Sequence, residues 1–186
     1  MKHVIFILSG LLLAGCSVLP VATEKKSADP TTSVMHPLLL NPTVLAITAQ
    51  LQRNIPEATA HVWRLGNEVK VTFAADSCFG VDGSTVSPNV VARLKTLVQI
   101  AGEYPETVWR VDVFTDNRGE AKKNLQRSEV QAQAIALYFI NQGVAAARIT
   151  EAGYGGDFPI TDDDSAAGQA MNRRVVVTIR PGVPAG

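Results

Sequence analysis

Hydrophobic and polar residues change their spacing several times along the chain, and each change marks a new element. Apolar and polar residues alternate in the runs HVWRL (61–65) and EVKVTF (68–73), on either side of Gly66 and Asn67. Alternation gives a strand one apolar and one polar face, and a Gly/Asn turn between two such runs favours a hairpin. The pattern therefore predicts a β-hairpin at the beginning of a folded domain.

Helical spacing first appears after residue 87. Ser87 suits the cap of a helix, and Pro88 suits its first position. Apolar residues then recur every three or four positions up to Tyr104, which is typical of a helix with one buried face. The residues predicted to face inward are Val91, Leu94, Val98 and Ala101.

A second helix is predicted between Ser128, as its cap, and Gly143, which favours the backbone conformation that ends many helices. The polar segment 115–127 in front of it is predicted to be a loop. The inward positions predicted for this helix are Val130, Ala134, Leu137 and Phe139 or Ile140.

Strands and helices continue to alternate in the rest of the chain. Strands are predicted at 107–114, 148–155 and 173–180, with a short helix at 165–172. A sheet made of such interleaved elements buries one face against its helices. The pattern predicts an α+β domain with helices packed on one face of the sheet.

The opening of the chain has a different character. The apolar run Val4 to Leu13 is shorter than the roughly 20 residues that a membrane-spanning helix needs, and it fits the core of a signal peptide. The run ends in Leu-Ala-Gly-Cys, which resembles a bacterial lipobox, so Cys16 is expected to carry fatty acyl chains such as palmitate. Ser17 replaces the Asp that retains such proteins in the inner membrane, and the resemblance implies the outer membrane.

These features divide the chain into three parts. Residues 1–15 are expected to be a signal peptide, 16–57 a lipidated N-terminus and tether, and 58–186 a periplasmic domain. Few apolar residues are available in the early tether to form a core. Its segment 42–54 has helical spacing, and either the domain or another protein is its expected docking partner.

Composition narrows the classes of function. The chain has 17 basic and 17 acidic residues, so no charge excess indicates a nucleic acid partner. An apolar fraction of 46% is sufficient for a core. Balanced charge favours a zwitterionic small partner or a protein surface.

The sequence contains few residues that would support a catalytic site or a metal site. No histidine follows His61, and Cys78 has no visible base beside it. Cys78 is expected either to pack inside the domain or to link to a partner chain. The triplet Asp162 to Asp164 lacks the spacing of a calcium loop and is expected to be a solvated turn. We expect no enzyme activity, no cofactor and no metal site.

Five short motifs give the strongest indication of function, and they resemble the OmpA-like, peptidoglycan-associated domain in the same order along the chain. They lie within the stretch Val71 to Ile179, which covers most of the folded part of the chain. The motifs are VTFAADSCFGVDGSTVSP, VDVFTDNRG, NLQRSEVQA, AGYGGDFPI and AAGQAMNRRVVVTI. The resemblance implies an OmpA C-terminal-like βαβαβ sandwich with a mixed sheet, which binds the diaminopimelate residue of peptidoglycan stem peptides.

The resemblance also implies a set of site residues. The family's aspartate, which binds the ammonium of diaminopimelate, corresponds to Asp116. Its carboxylate-binding arginine falls on Gln131, and a second family arginine falls on Gln169. Arg127, four residues before Gln131, is the candidate for the missing cation, with a solvated surface arginine as the alternative. The predicted peptidoglycan-binding residues are Thr115, Asp116, Asn124, Arg127, Gln131 and Arg174.

Two functions follow from these expectations. The first is an outer-membrane lipoprotein whose periplasmic domain binds peptidoglycan non-covalently and tethers the membrane to the wall. The alternative is a structural subunit of a trans-envelope secretion or conjugation complex, in which other envelope subunits are the partners and the peptidoglycan site is degenerate. The two glutamines favour the alternative, while Asp116 favours the first.

Overall fold

A computed structural model describes residues 41–182, which form a five-stranded mixed sheet with helices on one face. The strands are β1 (His61–Leu65), β2 (Glu68–Ala74), β3 (Thr107–Phe114), β4 (Ile149–Gly153) and β5 (Arg174–Pro181). The helices are α1 (Pro42–Asn54), α2 (Ala75–Cys78), α3 (Pro88–Glu103), α4 (Ala121–Asn141) and α5 (Ala166–Asn172). The predicted signal peptide, the lipidation site at Cys16 and the tether up to residue 40 lie outside the described residues.

The strands are arranged in the order β1-β2-β5-β3-β4. The predicted hairpin forms β1 and β2, and β5 pairs antiparallel with both β2 and β3. β3 and β4 are parallel, with α4 as the crossover between them. Phe114 at the end of β3 lies opposite Arg174 at the start of β5. The residues that follow β3 therefore lie beside those that precede β5.

Alternate residues of the three central strands form the buried face of the sheet. Their side chains pack against the helices and are at most 1% exposed. These core residues are Val69, Val71, Phe73, Trp109, Val111, Val113, Val175, Val177 and Ile179. The opposite face carries polar residues such as Lys70 and Arg110. The predicted α+β fold with helices on one face is confirmed.

Helix α1 is part of this core. Asn41 caps it through a hydrogen bond from the Thr43 amide, and its residues Val44, Ile47 and Leu51 are at most 1% exposed. The segment that the sequence placed inside the tether thus docks on the domain. The packed domain begins before residue 58, because three apolar side chains of α1 are needed to cover the sheet.

Helix α4 differs most from its prediction. It begins at Ala121 instead of Ser128, and its buried stripe includes the polar residues Asn124, Ser128 and Gln131. Ser128 is not a cap: its hydroxyl donates to the Leu125 carbonyl and accepts from the Gly155 amide, both at 2.8 Å. Polar residues on the buried face concealed the helical period of the first two turns.

The inward faces of both long helices are rotated from those predicted. In α3, Leu94 and Ala101 are buried as expected, whereas Val91 and Val98 are only partly buried. Val90, Leu97 and Ile100 complete the buried face instead. In α4, Phe139 is buried as expected and Ala134 is partly buried, whereas the predicted inward residues Val130 and Leu137 are 45% and 48% exposed. Ala132, Ile135 and Ala136 complete the apolar part of the buried face. The spacing of apolar residues predicted the two helices but not which of their faces is buried.

Cys78 and Asp163, the central residue of the aspartate triplet, contact other parts of the domain. Cys78 is fully buried, and burial raises the pKa of its thiol to about 12, which keeps it protonated. Asp163 accepts from the Asn117 amide and from the Asn172 side chain, so it ties two loops together. Within residues 41–182 no cluster of three metal-ligating side chains is present, and no helix there has the length and apolarity to cross a bilayer.

Candidate functional site

A polar cleft of about 760 Å³ lies at the end of the sheet where β3 ends and β5 begins. Its walls come from the loop after β3, the loop after α2, one side of α4 and the residue before β5. Four of the predicted site residues line it, namely Thr115, Asp116, Arg127 and Gln131, together with Arg118 and Arg173, which the sequence analysis did not select. The structure thus brings together the predicted Asp116, two further carboxylates in Asp76 and Asp82, and three arginines.

Asp116 lies in the floor of the cleft and is 6% exposed. Its Oδ2 atom accepts from Arg173 Nη1 at 2.8 Å and from Arg118 Nη2 at 3.1 Å and Nε at 3.3 Å. Its Oδ1 atom accepts from the Arg118 amide at 3.2 Å. Burial acts to raise the pKa of Asp116, but the hydrogen bonds from Arg173 and Arg118 outweigh it and hold that pKa below its usual value. The carboxylate is therefore ionised at neutral pH.

Arg173 bridges two carboxylates. Besides Asp116, it donates to Asp76 on α2, with its Nη2 atom 2.6 Å from Asp76 Oδ2. These hydrogen bonds raise the pKa of Arg173, and its side chain is only 25% exposed. A guanidinium fixed by two anions stays in place as a structural cation. Arg118, by contrast, has a side chain that is 62% exposed and an ion pair to Asp116.

The loop 115–118 is held by buried hydrogen bonds. The Thr115 amide donates to the Gly155 carbonyl at 2.7 Å, and the Thr115 hydroxyl donates to the Asp116 carbonyl at 2.8 Å. Asn124 lies beneath the cleft, and its side-chain amide donates to the carbonyls of Asp116 and Arg118. Thr115 and Asn124 thus position Asp116 without presenting a free group to the cleft.

Gln131, which the motif resemblance aligns with a family arginine, is engaged within the protein. Its side-chain amide donates to the Gly83 carbonyl at 2.6 Å, and the residue is 7% exposed. The contact secures the loop after α2, where Asp82 accepts from the amides of Ser84 and Thr85. Gln169 is likewise internal, since it donates to the Asp163 carbonyl at 2.7 Å. Both glutamines stabilise loops around the cleft.

Arg127 is an exposed residue of α4 that lines the cleft. Among the described residues, no carboxylate lies within ion-pair distance of its guanidinium. It stands one helical turn before Gln131, as the sequence spacing predicted, and it faces the same cleft. It therefore offers the cleft a guanidinium that has no ion-pair partner among the described residues.

Arg174 does not line the cleft. Its guanidinium lies 3.7 Å from the centre of the Phe114 ring and donates to the carbonyls of Phe158 and Asn172. Burial lowers the pKa of Arg174. Successive residues entering a strand point to opposite faces, and it is the preceding residue, Arg173, that reaches Asp116. Of these two adjacent arginines, Arg173 lines the cleft, whereas Arg174, the one predicted from the sequence, does not.

The mixed five-stranded sheet with an Asp–Arg cleft at one end defines this chain as an OmpA-like domain protein. The OmpA family profile matches residues 78–173, just over half of the 186 residues, and the chain belongs to that family. The resemblance seen in the sequence motifs is confirmed by this match.

Individual relatives agree with the family assignment. The chain is 31% identical to "Probable lipoprotein YiaD" of Escherichia coli over 133 residues, which cover 72% of this chain and 61% of that protein. It is 36% identical to outer membrane porin F of Pseudomonas fluorescens over 104 residues, 56% of this chain and 32% of that one. The matches thus span about a third to three fifths of these relatives. The solved structure of a putative MotB-like protein from Desulfovibrio vulgaris, 20% identical, superposes with a TM-score of 0.68 and covers 75% of this chain and 90% of that chain.

Proposed function

We propose that the cleft binds the diaminopimelate residue of peptidoglycan stem peptides, and that the protein thereby anchors an envelope membrane to the cell wall. Free diaminopimelate groups carry an ammonium next to a carboxylate. The cleft has a fixed carboxylate in Asp116 and guanidinium groups in Arg118 and Arg127. The observation that supports this function is the ionised Asp116 in the floor of an open cleft, held in place by Arg173.

The loss of the family arginine at position 131 does not leave the cleft without a cation. A charge-assisted hydrogen bond contributes about 1.5–3 kcal/mol, against about 0.5–1.5 kcal/mol for a neutral one. Gln131 alone would therefore weaken carboxylate binding, and its engagement with Gly83 reduces its contribution further. Arg127 lies on the same wall and supplies the charge that Gln131 lacks.

Removing the charge of Asp116 tests the proposed function. We expect Asp116→Asn to abolish sedimentation of the full-length protein with purified sacculi, because an amide cannot neutralise an ammonium. Asp164→Asn is the matched control, since Asp164 is an exposed aspartate that does not line the cleft. Thermal unfolding of both variants shows whether they fold. Undiminished sedimentation of folded Asp116→Asn would contradict the proposal.

The N-terminal motif supports lipid anchoring at the outer membrane as the second half of this function. In this proposal residues 1–15 are removed, Cys16 carries the acyl chains, and the domain faces the periplasm. Two or more acyl chains give durable membrane attachment, whereas one is marginal. The 25 residues from Cys16 to Asn41 span at most about 85 Å when fully extended. That length sets the greatest distance between the membrane and the packed domain.

Lipidation has a direct test. We expect cells that express the protein to incorporate labelled palmitate into it, and Cys16→Ser to abolish the label and release the protein from the membrane fraction. Cys78→Ser is the matched control, because the buried thiol of Cys78 is not a lipidation site. Label that persists in Cys16→Ser would refute the anchor.

A structural role in a trans-envelope complex is the second candidate. It is favoured by the engagement of Gln131 and Gln169 in internal hydrogen bonds, since both positions carry arginine in the family. In that case other subunits would hold the protein, and the domain would not bind sacculi. Co-purification of the untagged partners after mild detergent extraction, together with absence of sacculus binding, would support this candidate over the first.

A further inference from the structure

The three arginines of the cleft differ in how firmly they are held. Arg173 is 25% exposed and shared between Asp116 and Asp76. Arg118 is 62% exposed and ion-paired only to Asp116 among the described residues. Arg127 is exposed, and no carboxylate of the described chain pairs with it. Exposed ion pairs contribute little to stability, whereas a guanidinium fixed by two carboxylates is costly to move.

Arg118 occupies the position that a ligand ammonium would need. Its Nε and Nη2 atoms both donate to Asp116 Oδ2, at 3.3 Å and 3.1 Å. If the Arg118 side chain moves away, Asp116 keeps the hydrogen bonds from Arg173 Nη1 and from the Arg118 amide. The carboxylate would then stay in place and gain room for another cation. The Arg118 guanidinium, once released, would lie beside that cation in the same cleft.

We propose that Arg118 is the specificity-determining residue of the cleft, and that it selects zwitterions by exchanging its ion pair. The ligand ammonium replaces Arg118 on Asp116, and the released Arg118 guanidinium binds the ligand carboxylate together with Arg127. No covalent bond changes, and Asp116 and Arg118 each have a partner of opposite charge before and after the exchange. This inference rests on the proposed function, because it assigns the ligand's two charges to particular side chains.

The exchange predicts that a simple amine is a poor ligand. An amine can displace Arg118 from Asp116, but it leaves the Arg118 guanidinium without a new partner. A zwitterion supplies that partner with its carboxylate. The cleft therefore discriminates by the carboxylate next to the ammonium, even though Asp116 contacts only the ammonium. Diaminopimelate that is amidated at this carboxylate would also bind weakly, because an amide carries no charge to pair with the released Arg118 guanidinium.

Two matched probes test the exchange, namely meso-diaminopimelate and cadaverine, which has the same two ammonium groups and no carboxylates. Their dissociation constants are measured by isothermal titration calorimetry on the full-length protein and on Arg118→Ala, Arg118→Lys and Arg127→Ala. For the unmodified protein we expect meso-diaminopimelate to bind at least about tenfold more tightly than cadaverine. In Arg118→Ala we expect cadaverine to bind more tightly than before and meso-diaminopimelate more weakly, so that the ratio falls to about twofold or less.

The variants Arg118→Lys and Arg127→Ala show whether a change in the ratio of the two dissociation constants comes from the exchange or from the loss of any positive charge. Arg118→Lys keeps a cation and should retain part of the preference for the zwitterion. Arg127→Ala should weaken meso-diaminopimelate without improving cadaverine, because Arg127 does not occupy Asp116. An unchanged ratio in Arg118→Ala overturns the exchange. So does a failure of meso-diaminopimelate to bind the unmodified protein while that protein still sediments with sacculi through Asp116. Loss of Asp116-dependent sedimentation itself would overturn the proposed function and this inference together.

Discussion

Gly153→Ala should strongly lower the free energy of unfolding, because the added methyl group has no room between β4 and α4. A Cβ atom on Gly153 would lie 2.1 Å from the Glu129 amide nitrogen and 2.4 Å from the Ser128 carbonyl carbon. Both are backbone atoms of α4, which cannot turn aside as the end of a flexible side chain can. We expect a loss of about 3 kcal/mol in the free energy of unfolding, at the upper end of overpacking effects. The melting temperature should fall by about 10 °C.

Gly102→Ala is the matched control for this change. Gly102 lies in α3, is exposed, and has no atom within 4 Å of the added Cβ. Gly102 is the last residue but one of α3, and an alanine there should stabilise the protein by no more than the ~0.5–1 kcal/mol that separates alanine from glycine inside a helix. The two variants add the same methyl group with opposite expected signs, and urea denaturation measures both. Equal stability of the two variants would show that β4 and α4 are not packed as closely as described.

Asn172→Leu is expected to have the second large effect. Asn172 is fully buried, and its side chain makes four hydrogen bonds. It accepts from the amides of Ile160 and Thr161 and donates to the Thr161 carbonyl and to Asp163 Oδ1. Leucine has a similar shape but none of these polar atoms, so four polar groups of the loop 160–163 lose their hydrogen-bond partner. We expect the free energy of unfolding to fall by about 3 kcal/mol, because four hydrogen bonds that contribute about 0.5–1.5 kcal/mol each are lost.

Gln169→Leu tests whether that loss depends on the number of bonds. Gln169 lies in the same helix α5 and makes one side-chain hydrogen bond, to the Asp163 carbonyl. Its replacement should cost about 1 kcal/mol. Chemical denaturation of the two leucine variants gives the comparison. A loss in Gln169→Leu as large as that in Asn172→Leu would show that the loop is held by packing and not by the Asn172 network.

The site was predicted in part from the sequence. Asp116 is the second residue after β3 and belongs to the motif VDVFTDNRG. Its place at the end of the sheet could therefore be predicted from the residues around it. Arg118 and Arg173 were missed. Arg118 is close to Asp116 in the sequence, but the sequence does not show which carboxylate its guanidinium contacts. Arg173 contacts Asp116 although the two residues are 57 positions apart in the chain.

The fold shows the same division. Alternation and three-to-four spacing determined the hairpin, the helix after Ser87 and the short helix before β5, because these patterns follow from backbone geometry within a few residues. The family and the position of Asp116 also followed from the sequence.

Only the tertiary structure decided how far α4 extends, which face of it is buried, and that α1 belongs to the core. It also decided that Gln131 bonds to Gly83, 48 positions away, and that Arg173, not Arg174, faces the cleft. These features arise from contacts between segments that are distant in the sequence. Buried polar side chains such as Asn124 and Ser128 find their partners only when those segments meet.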